Sequence, residues 1–346
     1  MSEAFEAFKC ISVIDQVYGG KVECVDYFEN SLYIGTSDGN LLLYNFEETS
    51  TTASGEPVYR SNLHMRQRAT PTRNPVEQIV VIGPLNKIVV LCDGNVTVHN
   101  ANTLEQTSPT ALLKGGTRLC TSYDGANYKL CVATRRKLHL FKYVGQFLPD
   151  KQLVIPDTAV AMVWSGHYIC VGYKREYLLL HDDTGETKDI FPLDRQTPLI
   201  KLLPSTNELL LRLEKIGVIM GFDIIASRPQ VTWSYTPLAV GHSFPYVIAL
   251  LKKTIEVHNL YDTTSCVQTI ALQGGKAIAD DGHRVFVATA SRIYTLEPIP
   301  YEQQIKQLVQ NKRVEDAIDL LQRQEDLDSE EKARKTGEIH IQAPCL

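Results

Sequence analysis

No stretch of this 346-residue chain holds about eighteen consecutive apolar residues, so no helix is expected to span a bilayer. The opening MSEAFEAFKC has neither a basic start nor an apolar core, which argues against a secretory leader. None of the eight cysteines stands in C-x-x-C spacing, and most fall inside apolar runs. Zinc and disulfide frameworks are therefore both disfavoured, and buried reduced thiols are expected. Cys345 is one residue from the C-terminus, whereas a prenylation box needs the cysteine fourth from the end. Charge of one sign is scarce too. With 35 Lys and Arg against 40 Asp and Glu, the net charge of −5 is too mild for a dominant nucleic-acid role. The expected location is the cytoplasm, and the sequon at Asn95-Val96-Thr97 is then idle.

Catalytic signatures are missing as well. There is no G-x-S-x-G elbow and no Walker loop, since Gly274-Gly275-Lys276-Ala277 lacks the spacing and the hydroxyl. The pairs Asp182-Asp183 and Asp280-Asp281 lie beside glycines, where aspartate accepts local backbone hydrogen bonds. The nine histidines show no H-x-x-x-H spacing, and His139, His181 and His258 read as one strand position repeated in three units. No catalytic, cofactor-binding or metal-binding residues are expected, and the chain does not read as an enzyme.

What the sequence does hold is a repeat. SLYIGTSDGNLLLYNF, KIVVLCDGNVTVHN, KLCVATRRKLHLFKY, YICVGYKREYLLLHD, ELLLRLEKIGVIMGFD, YVIALLKKTIEVHNL and RVFVATASRIYTLEP each pair two apolar strands across a polar turn. Placing the turns at Asp38, Gly94, Arg136, Arg175, Lys215, Lys253 and Ser291 gives steps of 56, 42, 39, 40, 38 and 38 residues. A period near forty residues with strands inside each unit predicts a seven-bladed β-propeller, an all-β fold with about four strands per blade. An earlier strand precedes each pair, as in KVECVDYF and PVEQIVVIG, and a more polar edge strand should follow it. Leu113-Lys114-Gly115-Gly116 is read as opening blade three and Leu272-Gln273-Gly274-Gly275 as opening blade seven. The apolar run FKCISVI lies ahead of the first unit and is expected to complete the last blade and close the ring. Residues 47–74, Ser/Thr-rich and then basic, are read as a surface loop.

After Pro298 and Pro300 the period changes to that of a helix, with Ile305, Leu308 and Val309, then Val314, Ala317, Ile318 and Leu321. The expected organisation is a propeller over 7–298, a helix pair over 301–323 that begins an α-solenoid, and a polar disordered tail over 324–346.

One charge pattern stands out. The turns between paired strands should share one face of the propeller. They carry Asp38 and Asp93 in the first two blades, then Arg135, Arg136, Lys137, Lys174, Arg175, Lys215, Lys252, Lys253 and Arg292 in the remaining five. Solvated hairpin tips alone would account for much of this. The functional reading is a basic crescent that meets acidic protein or anionic lipid headgroups.

The runs VECVDYFENSLYIGTSDGNLLLY, VGYKREYLLLHDDTGETKDIFP, SFPYVIALLKKTIEVHN and RVFVATASRIYTLEPIPYEQQIKQLVQNKRVEDAIDL resemble the citron homology (CNH) domain. The form they resemble is that of the TGF-β-receptor-associated and Vam-type vacuolar-sorting tether subunits. Phe191-Pro192, Pro245-Tyr246 and the junction from Pro298 through Leu320 carry the specific part of the likeness. The resemblance implies a non-enzymatic subunit of a CORVET- or HOPS-like complex that tethers vesicles to endosomes or lysosomes. It implies Rab GTPases and other subunits as partners, and a location peripheral to those membranes. A cytoplasmic scaffold for a TGF-β-type receptor kinase or a small GTPase is the alternative. Family members continue far beyond one helix pair, so solenoid contacts are not carried over.

Overall fold

The computed structural model describes residues 6–52, 55–194, 196–263, 265–322, 324 and 327–342; Cys345 lies outside them. Its 28 strands form seven antiparallel sheets of four strands each. Blades one to six take residues 22–68, 76–114, 118–154, 161–192, 200–232 and 239–271. Blade seven takes three strands from 275–298 and a fourth, Phe8–Ile14, from the start of the chain.

Within each blade the chain runs from the axis outward. The second strands, such as Lys87–Cys92, Tyr246–Leu250 and Val285–Thr289, read as unbroken apolar runs because both their faces are covered by neighbouring blades. Cys92, Cys131 and Cys170 all sit in these strands and are fully buried, as the apolar setting of the thiols predicts. Seven buried clusters result, one in each interface between adjacent blades. The fold is thus stabilised by interfaces rather than by one central core, and every blade needs a neighbour on both sides.

The N-terminal strand supplies the last neighbour. Phe8–Ile14 pairs antiparallel with Ile293–Pro298, from Phe8 opposite Pro298 to Ile14 opposite Ile293, so the ring is closed as expected. Gln268 of blade six locks the strand. Its Oε1 accepts from the backbone N–H of Ala7 and of Phe8, each at 2.9 Å, and its Nε2 donates to the Phe8 carbonyl at 2.8 Å. Phe8 packs edge-on to Tyr246 with ring centroids 5.4 Å apart.

Three sequence expectations need correction. Residues 47–74 are mostly not a loop, because Asn40–Thr51 and Pro57–Arg68 pair as a long hairpin from Asn40 opposite Arg68 to Thr51 opposite Pro57. Tyr59 anchors it, packing edge-on against Phe46 and donating its hydroxyl to Glu297 Oε1 of blade seven at 2.6 Å. Leu113–Lys114 is the outer strand of blade two, not the opening of blade three. The glycines beside these links are required by close packing. A Cβ on Gly116 would lie 2.7 Å from Val96, and one on Gly275 would lie 2.4 Å from Leu250. The tail is the third case, since α3, Ser329–Gln342, occupies the segment read as disordered.

That third helix has a local cause. Asp328 Oδ1 accepts from the Glu331 N–H at 2.8 Å, which caps the helix start, and Arg334 pairs with Glu338 one turn later at 2.7 Å. It follows α1, Tyr301–Gln310, and α2, Val314–Gln322. Leu308, Val309, Ala317, Leu320, Leu321 and Ile339 of the three helices join the cluster between blades six and seven. Buried Gln304 ties α1 to the propeller by donating to the Ile299 carbonyl and accepting from the Tyr246 hydroxyl. The helices are docked on the ring.

Ring closure has a direct consequence. Replacing Gln268 with Leu would leave two buried N–H groups and one carbonyl without partners and cost at least about 2 kcal/mol. Deleting residues 1–14 would also expose the edge of Ile293–Pro298 and lower stability further. Urea unfolding of both variants checks this, and an unchanged midpoint in either would contradict the closed ring.

Candidate interaction face

Each blade crosses from face to face four times, so the turns between second and third strands share one face with the links from each outer strand to the next blade. Arg135, Arg136, Lys137, Lys174, Arg175, Lys215, Lys252, Lys253 and Arg292 all occupy those turns or their first strand residue, and all are exposed. None of the nine forms an ion pair among the described residues. Lys137 donates to Gln152 Oε1 at 3.3 Å, and Lys215 lies 5.2 Å from the centre of the Tyr235 ring. Arg292 lies against the Tyr294 hydroxyl, and the other cations are left to solvent.

The same face holds residues that strand patterning could not place. Tyr18, Tyr235 and Leu238 lie in the links between blades and are 53%, 69% and 53% exposed. Exposed aromatic and apolar side chains beside free cations are the composition of an interface centre with a charged surround. Acids interrupt the crescent, with Asp157, Asp194 and Glu214 exposed among the same turns and links. The acidic end is also weaker than the sequence pattern implied. Asp38 accepts from Thr36 and Asn40, which hold its carboxyl below the usual range, and Arg66 and Arg68 end the outer strand of blade one beside it.

The axis carries a different chemistry. Asp280 is not a turn residue, unlike Asp281, which accepts from the N–H groups of His283 and Arg284. It ends the innermost strand of blade seven, buries its side chain, and meets Lys201 of blade five at 2.6 Å. Burial raises its pKa against the pull of Lys201. Asp26 of blade one accepts from the Val81 and Tyr27 N–H groups, yet burial raises it to about 6. His242 of blade six is fully buried and neither ring nitrogen has a hydrogen-bond partner among the described residues. Spacing along the chain gave no signal for this group because its members come from four different blades.

The histidine register also differs from expectation. His258 aligns with His99, not with His139 or His181. His258 lies opposite Val247 and His99 opposite Ile88, at matching points, while His181 lies opposite Tyr168 and His139 opposite Val132. Among the described residues two sets of three potential ligands come together: Glu256, His258 and Cys266, and His167, Asp182 and Asp183. In the second set Lys129 and Lys151 already face the carboxylates, at 3.8 Å from Asp182 and 2.6 Å from Asp183. No helix among the described residues is long and apolar enough to cross a membrane.

Residues 29–280 match the family model described as the CNH domain. The chain belongs to the CNH domain family. The AfRom2 CNH domain shares the fold of this propeller, with a TM-score of 0.62 at 15% identity over 84% of this chain and all of that one. This CNH chain is 29% identical to mouse transforming growth factor-beta receptor-associated protein 1, over 91% of its own length and 38% of the relative. It is 27% identical to mouse Vam6/Vps39-like protein, over 97% of its length and 39% of the relative. The chain therefore spans about two fifths of the length of these curated relatives.

The buried His242 makes the stability of this CNH propeller depend on pH. Burial first, then the nearby Lys201 and His283, pulls its pKa down to about 4. An unfolded chain protonates the same histidine near 6.5. Above that pH both states are neutral; below it only the unfolded state takes up the proton, so stability is lost as pH falls from about 6.5 to 4. Between pH 7 and pH 5 the wild type should lose about 2 kcal/mol more than His242→Gln. Urea melts at both values read the difference, and parallel losses would contradict a neutral buried imidazole.

Proposed function

We propose that this chain is a non-enzymatic interaction module of the vesicle-tethering machinery of endosomes or lysosomes, of the CORVET and HOPS type. The similarity to Vam6/Vps39-like protein over nearly the whole chain supports the pathway. The observation that carries the mode of action is the face of unpaired cations set among exposed Tyr18, Tyr235 and Leu238. Such a surface needs no bound reactant. It draws an acidic partner in at long range and then buries apolar contact area. The partner read from this chemistry is a protein of acidic surface, a Rab GTPase or another tether subunit, met at the cytoplasmic side of the membrane. Anionic headgroups would strengthen the same encounter. The helices leave from the opposite face, after Ile293–Pro298, so a solenoid continuing from them would not cover the basic turns. The alternative, a scaffold for a TGF-β-type receptor kinase or a small GTPase in signalling, is favoured by the name of the mouse relative.

The test is to reverse Arg135, Arg136, Lys174, Arg175, Lys252 and Lys253 to Glu. Exposed sites of this kind should leave stability within about 1 kcal/mol. Capture of tether subunits and Rab GTPases from cytosol should fall sharply, and the wild-type capture should itself weaken as salt rises. Capture of a receptor kinase in place of tether subunits would favour the signalling reading. Equal capture by the reversed and parent proteins at both salt concentrations would place the binding surface elsewhere.

A further inference from the structure

Blades two and six place a histidine at the same point of the third strand and treat it differently. In blade two the ring of His99 is satisfied at both ends, by the Thr97 hydroxyl at Nε2 and the Leu104 carbonyl at Nδ1, each at 2.8 Å. In blade six the position of Thr97 is taken by Glu256, and the outer strand begins at Cys266. His258 is 1% exposed, and its Nδ1 has no partner among the described residues. Its Nε2 lies 3.4 Å from Glu256 Oε2. A charge-assisted hydrogen bond closes to about 2.7–2.9 Å, so this contact is long for one. It matches the separation of two ligands on one tetrahedral zinc, since bonds of about 2.0–2.2 Å to N and O put those donors about 3.4 Å apart.

The geometry points to a site for a single transition-metal dication of the zinc class, bound by Glu256, His258 and Cys266. One ligand atom from each lies within 4.8 Å of the others, close enough to contract onto one ion. A thiolate, an imidazole and a carboxylate form a donor set suited to Zn²⁺ rather than to Mg²⁺ or Ca²⁺. No lysine or arginine pairs with Glu256 among the described residues, in contrast to the lysines that face Asp182 and Asp183. The carboxylate is already oriented from behind, because Ser234 donates to it from both its hydroxyl and its N–H, the latter at 3.2 Å. Without metal the Cys266 thiol is 3.2 Å from the Gln268 carbonyl and 3.6 Å from the Val257 carbonyl. Binding would release the thiol proton, and the proton His258 shares with Glu256, to solvent and turn the sulfur from those carbonyls to the ion. Cys266 is the exposed member of the three, and its sulfur gives the ion a way in.

The experiment uses the 346-residue chain, stripped with a chelator and titrated with Co²⁺ as a spectroscopic probe. We expect one equivalent to bind with a thiolate-to-cobalt band in the near ultraviolet, Zn²⁺ to displace it, and Cys266→Ser to abolish the band. A second measurement on the wild type needs no variant. Zn²⁺ should slow alkylation of Cys266 by iodoacetamide at least tenfold, read peptide by peptide. Survival of the cobalt band in Cys266→Ser would put the thiolate elsewhere, and an alkylation rate at Cys266 indifferent to Zn²⁺ would overturn the site.

Discussion

The pairing of Phe8–Ile14 with Ile293–Pro298 is the contact on which the rest of this molecule depends. A propeller blade cannot bury its two faces alone. Each apolar second strand is covered only because a blade stands on either side, and seven clusters in seven interfaces leave no blade at an end. If the first strand leaves, the third strand of blade seven becomes an open edge, and Ala7 and Phe8 withdraw from the cluster that also seats the helices. Closure, helix docking and the Gln268 clamp therefore form one linked unit.

Polar side chains reach between blades elsewhere in the ring, and they do so by completing backbone hydrogen bonds. Gln78 of blade two both donates to and accepts from Leu119 of blade three, at 2.8 and 2.9 Å. Asp26 accepts from Val81, Arg118 donates to the Val160 carbonyl, and the Tyr177 hydroxyl bridges to Leu199 and Arg212. These contacts fix the angle between neighbours where apolar packing alone would allow sliding. A rigid ring in turn holds seven hairpin turns in one plane, which makes scattered lysines and arginines into a surface. The proposed function rests on that arrangement, in which the fold supplies spacing and the turns supply charge.

The parts that were legible before the structure were those with a strong period. Seven apolar–turn–apolar units gave the ring, FKCISVI gave the closing strand, and Ile305 to Leu321 gave α1 and α2. The failures have physical causes. The hairpin through Tyr59 is a long two-stranded extension facing solvent, so its side chains lack the apolar alternation that marks the other strands. The third helix is set by Asp328 and by ion pairs on a polar face, with Ile339 as its one deeply buried apolar residue. Asp280 sits in a dipeptide that looks like a turn, yet the strand ends one residue later than the glycine suggests. Glu256 and Cys266 are on neighbouring strands, and a bulge between Val257 and His258 sets their register, which no spacing rule reads. Tyr18, Tyr235 and Leu238 look like ordinary core residues until the links that carry them are seen to be exposed.

The docked helices extend the same argument to the curated relatives, of which this chain spans about two fifths. Whatever follows α3 would start from a base already fixed to blades six and seven. The most direct test of ring closure is native-state hydrogen exchange resolved by residue. Amides of Lys9 and Ile11, which point at Glu297 and Thr295, should exchange only with the global unfolding free energy, as should those of Ile169, Cys170 and Val171 in blade four. Exchange of the N-terminal strand at a markedly lower free energy than blade four would contradict a ring held shut by its first strand.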